Sequence, residues 1–391
     1  MPLPLYLLAM AVFAMGTSEF MLAGLLPNIA AGLGVSTATA GLLTSAFAAG
    51  MVVGAPMMAG LTRRCSPRLS LLGFLTGFLA SHVIGAITES FTVLFLTRIV
   101  AALANAGFLA VALSTATTLV PANKKGRALA VLLGGITVAT IVGVPGGALL
   151  GTVLGWRATF WAVAALCLPA AVGVAHSIPA MRERSDASTR PNLRQELAQL
   201  QRPRLIVTLI LCALINAATF GTYTFLAPLV TDVAALDSWW VSVVLALFGV
   251  GSFVGVTVAG RLSDRRPRHV IAVGGPLLLL GWVGLALMAA NPVALLILSF
   301  IQGALSFALG STVITLVLYE AIAAPTMAGS YATAALNIGA ATGPVIAAAT
   351  LNTTLADRGP VWASSILVAI AVLFAMAFRD TCGSNRYRGA M

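Results

Sequence analysis

The sequence predicts an all-α membrane protein: twelve transmembrane helices in two pseudo-symmetric six-helix bundles. Three observations carry that reading. Of 391 residues, 59% are hydrophobic and 8% charged, against about 25% charged in ordinary soluble domains. Apolar runs long enough to cross a bilayer follow one another along the whole chain. Basic residues crowd into every second gap between those runs. So apolar a chain is not a secreted disulfide scaffold, a disordered polymer or a nucleic-acid binder. Its formal charge of +11 is placed as a topology signal and not as a patch for phosphates.

The spans are expected at 4–30, 39–61, 70–88, 91–118, 127–152, 158–179, 205–230, 239–262, 269–290, 292–317, 326–350 and 360–379. They are rich in Gly, Ala, Leu and Val. They lack the period-two alternation that a transmembrane barrel needs in segments of about ten residues. Helices then satisfy the backbone within hydrocarbon. The first run opens Met1-Pro2-Leu3-Pro4, without basic residues, and continues past Glu19. It reads as a span and not as a cleaved signal.

Charge placement tests the count of twelve. Arg63, Arg64 and Arg68 follow span two; Lys124, Lys125 and Arg127 follow span four; Arg261, Arg265, Arg266 and Arg268 follow span eight; Arg379, Arg386 and Arg388 follow span twelve. Six arginines between 182 and 204 follow span six, so 19 of the 22 basic residues lie after even-numbered spans. Alternate gaps hold only Arg157 and Arg358. Basic loops stay in the cytoplasm, which puts both termini there. The polar stretch ahead of span seven divides the chain into a first bundle (1–180), a cytoplasmic linker (181–204) and a second bundle with a short tail (205–391). Leu193–Leu200 within the linker fits a short interfacial helix.

The halves repeat. Phe47-x-x-Gly50-x-x-x-Gly54 followed by Leu61-x-x-Arg64 returns as Phe248-x-x-Gly251-x-x-x-Gly255 followed by Leu262-x-x-Arg265, five positions sharing an offset of 201. Gly143-x-Pro145 in span five has a looser counterpart, Gly343-Pro344, in span eleven. Six spans repeated twice fit a transporter that works by alternating access.

Within the spans, Glu19 stands out. A carboxylate at mid-depth in hydrocarbon is expensive by any estimate, so it must face the protein interior. There it is either a proton carrier or a structural group tied to a neighbouring helix. Arg98, within span four, reaches Glu19 or backbone carbonyls if spans one and four pack together; the plainer reading is an architectural arginine. In span five, Gly143, Pro145, Gly147, Gly151 and Gly155 give a proline bend and a smooth stripe for close helix packing. Asp264 among the arginines after span eight, with Arg265 and with Arg64 in the corresponding first-half loop, suggests a charge clamp that forms in one conformation. Plain topological anchoring competes with that reading.

A sparse set of polar and aromatic residues within spans or at their ends forms a candidate pocket: Asn28, Phe108, Asn216, Phe220, Tyr223, Gln302, Tyr331 and Asn337. Aromatic walls with a few hydrogen-bonding groups suit a modest amphiphilic ligand, although helix–helix hydrogen bonds account for many such residues. Cys65, Cys167, Cys212 and Cys382 form no close pair, and three scattered histidines favour no metal site; neither a disulfide nor a cofactor is expected. Nor is there a nucleotide-binding or nucleophile motif, so catalysis is not expected. A membrane receptor or scaffold without turnover is the competing class.

These residues resemble the major facilitator superfamily over essentially the whole chain, and within it the twelve-span drug:proton antiporters. Gly260, Leu262, Asp264 and Arg265 match that family's loop signature, whereas the first-half loop carries Arg63 where the acid belongs. Arg98 matches the arginine of the span-four signature, which the resemblance associates with proton coupling. Gly143-x-Pro145-x-Gly147-x-x-x-Gly151 is similar to the antiporter signature of span five. The stretches 16–27 and 110–121 resemble actinobacterial chloramphenicol-resistance exporters. The resemblance implies proton-coupled multidrug or chloramphenicol efflux across a bacterial cell membrane, giving antibiotic resistance. The partners would be a chloramphenicol-like small molecule, the proton and the lipid bilayer, with a monomer sufficient for the path. Sugar and metabolite exporters share the Gly16-Thr17-Ser18-Glu19-Phe20 opening, so that motif alone leaves the substrate open.

Overall fold

The computed structural model of the chain describes residues 1–61, 66–121, 124–178, 198–263, 267–321 and 327–378. Among these, twelve helices are long and apolar enough to cross a membrane. Several begin at a proline, including Pro67, Pro203, Pro267 and Pro292. In the first turn of a helix the missing N–H costs nothing, and proline's fixed φ is already helical. Side chains cap two of these starts. Ser66 Oγ accepts from the Leu69 amide, and Asn291 Oδ1 accepts from Val293 and Ala294 at 3.0 and 3.1 Å.

Three spans differ from the unbroken helices expected. Span one is Leu3–Phe20 and Leu22–Leu33, interrupted at Met21 directly after Glu19 and Phe20. Span five runs Lys125–Val138, passes through a wide π turn at Ala139–Gly143, and resumes as Val144–Leu154. Span seven, Pro203–Thr224, continues through Leu226–Pro228 into a second π turn, Leu229–Val233. Near each π turn stands a proline, Pro145 or Pro228, that has no amide to give, so the regular ladder breaks there. The remaining boundaries fall within a few residues of those expected. The proposed linker helix lies largely outside the described residues; only Ala198–Gln201 is seen, as a short 3-10 turn.

Two apolar cores account for the division into halves. One is built from residues between Leu5 and Ile178, the other from residues between Val207 and Ala371, with Ala23, Val144 and Ala148 of the first half buried in it and Phe20 packed against it. Cys167 and Cys212 are buried, one in each core, with free thiols.

The repeat of 201 residues has a direct structural meaning. A side chain at Gly50 or Gly54 would meet Ala102 or Ala106 of span four and crowd its backbone at Ile99 or Leu103. At Gly251 or Gly255 it would strike Phe300 or Ala304 on span ten. The partners are themselves 201 residues apart, so both halves use the same glycines for the same close approach.

The halves also meet each other. Leu26, Ala30 and Ala40 pack with Phe225, Ala347 and Ala348, and Ala48 packs with Phe220 and Ala340. Span five touches span eight through its π turn and the helix that follows. These contacts lie at mid-depth and toward the ends of the bundle whose loops are poor in basic residues.

Candidate functional site

The site begins at Ser18-Glu19-Phe20, where span one turns toward three different neighbours. Ser18 is fully buried. Arg98, 1% exposed on span four, grips it with both arms of the guanidinium: Nη1 donates to Ser18 Oγ and Nη2 to the Ser18 carbonyl, each at 2.8 Å. The cation also lies over the Phe47 ring of span two, 4.5 Å from its centroid. Arginine suits this place because its rigid fork holds two acceptors at once. Its Nε has no partner, so the charge is incompletely satisfied as it stands.

Glu19, half-buried, lies within the electrostatic reach of Arg98 and beside the Asn105 side chain. Asn105 follows Arg98 by seven residues, two helical turns, and so shares its face of span four. The acid and the base expected to carry the chemistry are therefore brought together, with Arg98 committed to Ser18 rather than clamped onto the carboxylate.

Sequence reasoning missed two members of this cluster. Asn105 was discoverable from its seven-residue spacing to Arg98. His82, counted only against a metal site, is 1% exposed on span three. Its Nε2 lies 2.7 Å from Ser18 Oγ and its Nδ1 2.8 Å from the Phe78 carbonyl. Phe78 and Phe160 stack on the ring with centroids 4.2 and 5.7 Å away. A histidine inside an apolar span was itself the signal, because ionisable groups in membrane helices are rarely idle.

On the other side of Glu19, Phe20 points into the interface between the halves. It lines a pocket with Thr140, Thr219, Phe220, Tyr223, Phe248, Gly249, Ser252 and Phe307. The rings form a continuous wall: Phe20 to Phe220 at 5.7 Å, Phe20 to Tyr223 at 6.3 Å, Tyr223 to Phe248 at 5.0 Å and Phe248 to Phe307 at 6.3 Å. Residues from both halves contribute, so relative motion of the halves reshapes the pocket.

Of the pocket residues expected from sequence, Phe220 and Tyr223 are in this wall and the others lie elsewhere. Phe108 is in the core of the first half. Asn28 is exposed, its amide 3.5 Å from the Gly151 carbonyl. Asn216 ties span seven to span eleven through the Leu336 carbonyl at 2.6 Å. Gln302, fully buried, donates to the Leu278 carbonyl on span nine. Tyr331 packs with Leu205 and Val317, and Asn337 bonds within its own helix to Thr333.

Three of the motif glycines of span five answer a neighbour. A Cβ on Gly143 would strike the Thr17 hydroxyl, and one on Gly151 would strike Leu25, both on span one; one on Gly147 would crowd Thr159 on span six. Gly155, at φ 84° and ψ 155°, separates spans five and six. Beyond it the Arg157 guanidinium stacks on Trp156 at 4.4 Å and donates to the Thr88 carbonyl. The clamp candidates Asp264, Arg265 and Arg64 lie outside the described residues.

Twelve spans in two repeated halves, with a buried polar cluster in the first half and an aromatic pocket between the two, define a membrane transporter. The chain belongs to the Major Facilitator Superfamily, whose profile matches residues 8–334. It is 68% identical over 379 residues to a chloramphenicol resistance protein of Streptomyces lividans, covering 97% of each chain. It is 33% identical over 372 residues to the inner membrane transport protein YdhP of Escherichia coli, covering 95% of this chain and 94% of that one. Among solved structures, a bacterial homologue of the human lysosomal transporter Spinster, inward-facing and unoccupied, superposes with a TM-score of 0.78 at 18% identity, over 97% of this chain and 96% of that one. At that identity the likeness concerns the fold.

Proposed function

We propose that the chain exports chloramphenicol or a similar small neutral drug across the bacterial cytoplasmic membrane in exchange for protons, working as a monomer by alternating access. The observation that carries the substrate is the 68% identity, over nearly the full length, to a chloramphenicol resistance protein. The two bundles, 1–180 and 205–391, rock about the interface between them, joined by the cytoplasmic linker 181–204. With both termini and the basic loops in the cytoplasm, the packed ends of the interface at Leu26, Ala30 and Ala40 face outward.

In this reading the aromatic wall from Phe20 to Phe307 holds the drug, and Phe20 links it to the neighbouring Glu19. Glu19 carries the proton, and Arg98 sets how readily it is released. The carboxylate gives up its proton when it faces the cytoplasm and regains one when it faces outward. Asp264 with Arg265, and Arg64 in the first half, form and break contacts at the cytoplasmic loops as the halves move. Exchange of one neutral drug for one proton moves one charge inward, so an inside-negative potential adds about 2.3 kcal/mol per 100 mV to the driving force.

Reconstituted vesicles test the proposal. An imposed gradient of chloramphenicol is expected to drive proton movement through the wild-type protein, and Glu19→Gln to abolish it. Full proton movement in that variant would remove Glu19 from the mechanism. Transport of a sugar in place of the drug would give the protein the other substrate class.

A further inference from the structure

His82 is buried against the proton-coupling pair, yet touches neither Glu19 nor Arg98 directly. Its hydrogen bonds admit one self-consistent assignment. The Phe78 carbonyl can only accept, so Nδ1 carries the proton and Nε2 presents a lone pair. Arg98 can only donate to Ser18 Oγ. The Ser18 hydroxyl has one proton, and the acceptor left for it is His82 Nε2, 2.7 Å away. A proton on Nε2 instead would point the Nδ1 lone pair at the Phe78 carbonyl and leave the Ser18 proton without an acceptor. With two donors aimed at its oxygen and its own proton unplaced, the hydroxyl would then be free to turn its lone pairs away from Arg98. In the neutral Nδ1–H form, the hydroxyl is held with its proton toward span three and its lone pairs toward span four.

We propose that His82 is a positioning residue for proton coupling: by fixing the Ser18 hydroxyl as an acceptor toward Arg98, it parks the guanidinium on span one and leaves the Glu19 carboxylate free to exchange its proton. This rests on the coupling role proposed for Glu19 and Arg98. The charged and titratable groups facing the imidazole's partner are Arg98 and, beyond it, Glu19. Phe78 and Phe160 cover the ring faces and fix its plane, so the orientation is imposed by packing and not chosen by solvent. The role needs an acceptor at the place of Nε2 and not a titrating ring. A glutamine side chain offers an oxygen near that place; leucine offers none.

The experiment compares His82→Gln, His82→Leu and Ser18→Ala in vesicles with radiolabelled chloramphenicol. The readout is uptake driven by an imposed pH gradient divided by drug-for-drug exchange without one, a ratio from which the amount of folded protein cancels. His82→Gln is expected to stay within about twofold of wild type, and His82→Leu and Ser18→Ala to fall about tenfold. Wild-type ratios in both His82→Leu and Ser18→Ala would overturn the proposal. So would a His82→Gln ratio as low as that of His82→Leu, since that result assigns the role to proton uptake by the imidazole. If His82→Leu shows no exchange at all, Ser18→Ala and His82→Gln decide between the same outcomes. Wild-type exchange without gradient-driven uptake removes coupling itself and overturns both this inference and the reading beneath it.

Discussion

The Thr140 carbonyl in the π turn of span five lies against Gly249 of span eight, so closely that a Cβ at 249 would overlap it. The two features explain each other. In the π register the Val144 amide bonds back to Ala139, which matches the Thr140 carbonyl with residue 145, a proline without an N–H. The carbonyl freed by Pro145 is the one that the glycine accommodates, at a point where the two halves meet beside the aromatic pocket.

Gly249→Val is therefore expected to hold spans five and eight apart. The obstacle is backbone, which cannot swing aside, and overpacking of this kind costs about 1–3 kcal/mol. Gradient-driven drug transport should fall about tenfold or more, with the protein still inserted. Transport at the wild-type rate would mean the close approach is not required in the cycle.

Arg98→Lys tests the fork. Lysine keeps the charge but holds Ser18 Oγ and the Ser18 carbonyl less well together, and it loses the flat stacking over Phe47. Proton-driven drug uptake is expected to drop at least tenfold, with a lower melting temperature in detergent. A lysine variant that couples normally would show that a point charge suffices at this position.

Phe20→Ala and Phe220→Ala remove opposite sides of the aromatic wall, one from each half. Each ring contact adds about 0.5–1.5 kcal/mol beyond its buried area, so each substitution should weaken chloramphenicol binding roughly tenfold. Titration calorimetry on purified protein measures this. Unchanged affinity in both would place the drug elsewhere.

Gly155→Ala should destabilise the protein by about 1–3 kcal/mol. At φ 84° and ψ 155° the backbone occupies a region essentially reserved for glycine, and no neighbour stands in the way of a Cβ, so the cost is purely conformational. Gly146→Ala makes a control: it too has open space around it, but it lies within a helix, where alanine is preferred. Thermal unfolding should separate the two, with only Gly155→Ala lowering the midpoint.

The sidedness of the protein is open to labelling. Tags after Met391 and within 180–204 should react only from the cytoplasm, and a tag beside Asp357 only from outside. Labelling of the linker and of Asp357 from the same face would refute the twelve-span map, and labelling of the linker and the Met391 tag from outside would refute the cytoplasmic assignment of the termini.

Span number and the two-half repeat were readable in the chain because the bilayer imposes length and apolarity locally, and charge follows a rule along the sequence. Glu19 and Arg98 were readable for the same reason: hydrocarbon makes each ionisable group conspicuous. The 201-residue offset also foretold which glycines would matter, since Gly50, Gly54, Gly251 and Gly255 repeat one packing arrangement in both halves. Partnership was different. That Arg98 holds Ser18, that His82 holds the same hydroxyl, and that Phe20 faces Phe220 and Tyr223 depend on how spans far apart in sequence rotate against one another. Nearly every span is apolar around much of its circumference, so the amphipathic pattern that reveals a buried face in a soluble helix is weak here. Asn216 and Gln302, polar residues of the kind expected to line a pocket, instead bond to backbone carbonyls of neighbouring helices. The sequence by itself determined what had to cross the membrane and which groups were costly to place there. Only the tertiary structure decided which of those groups face each other, because that choice belongs to packing between helices.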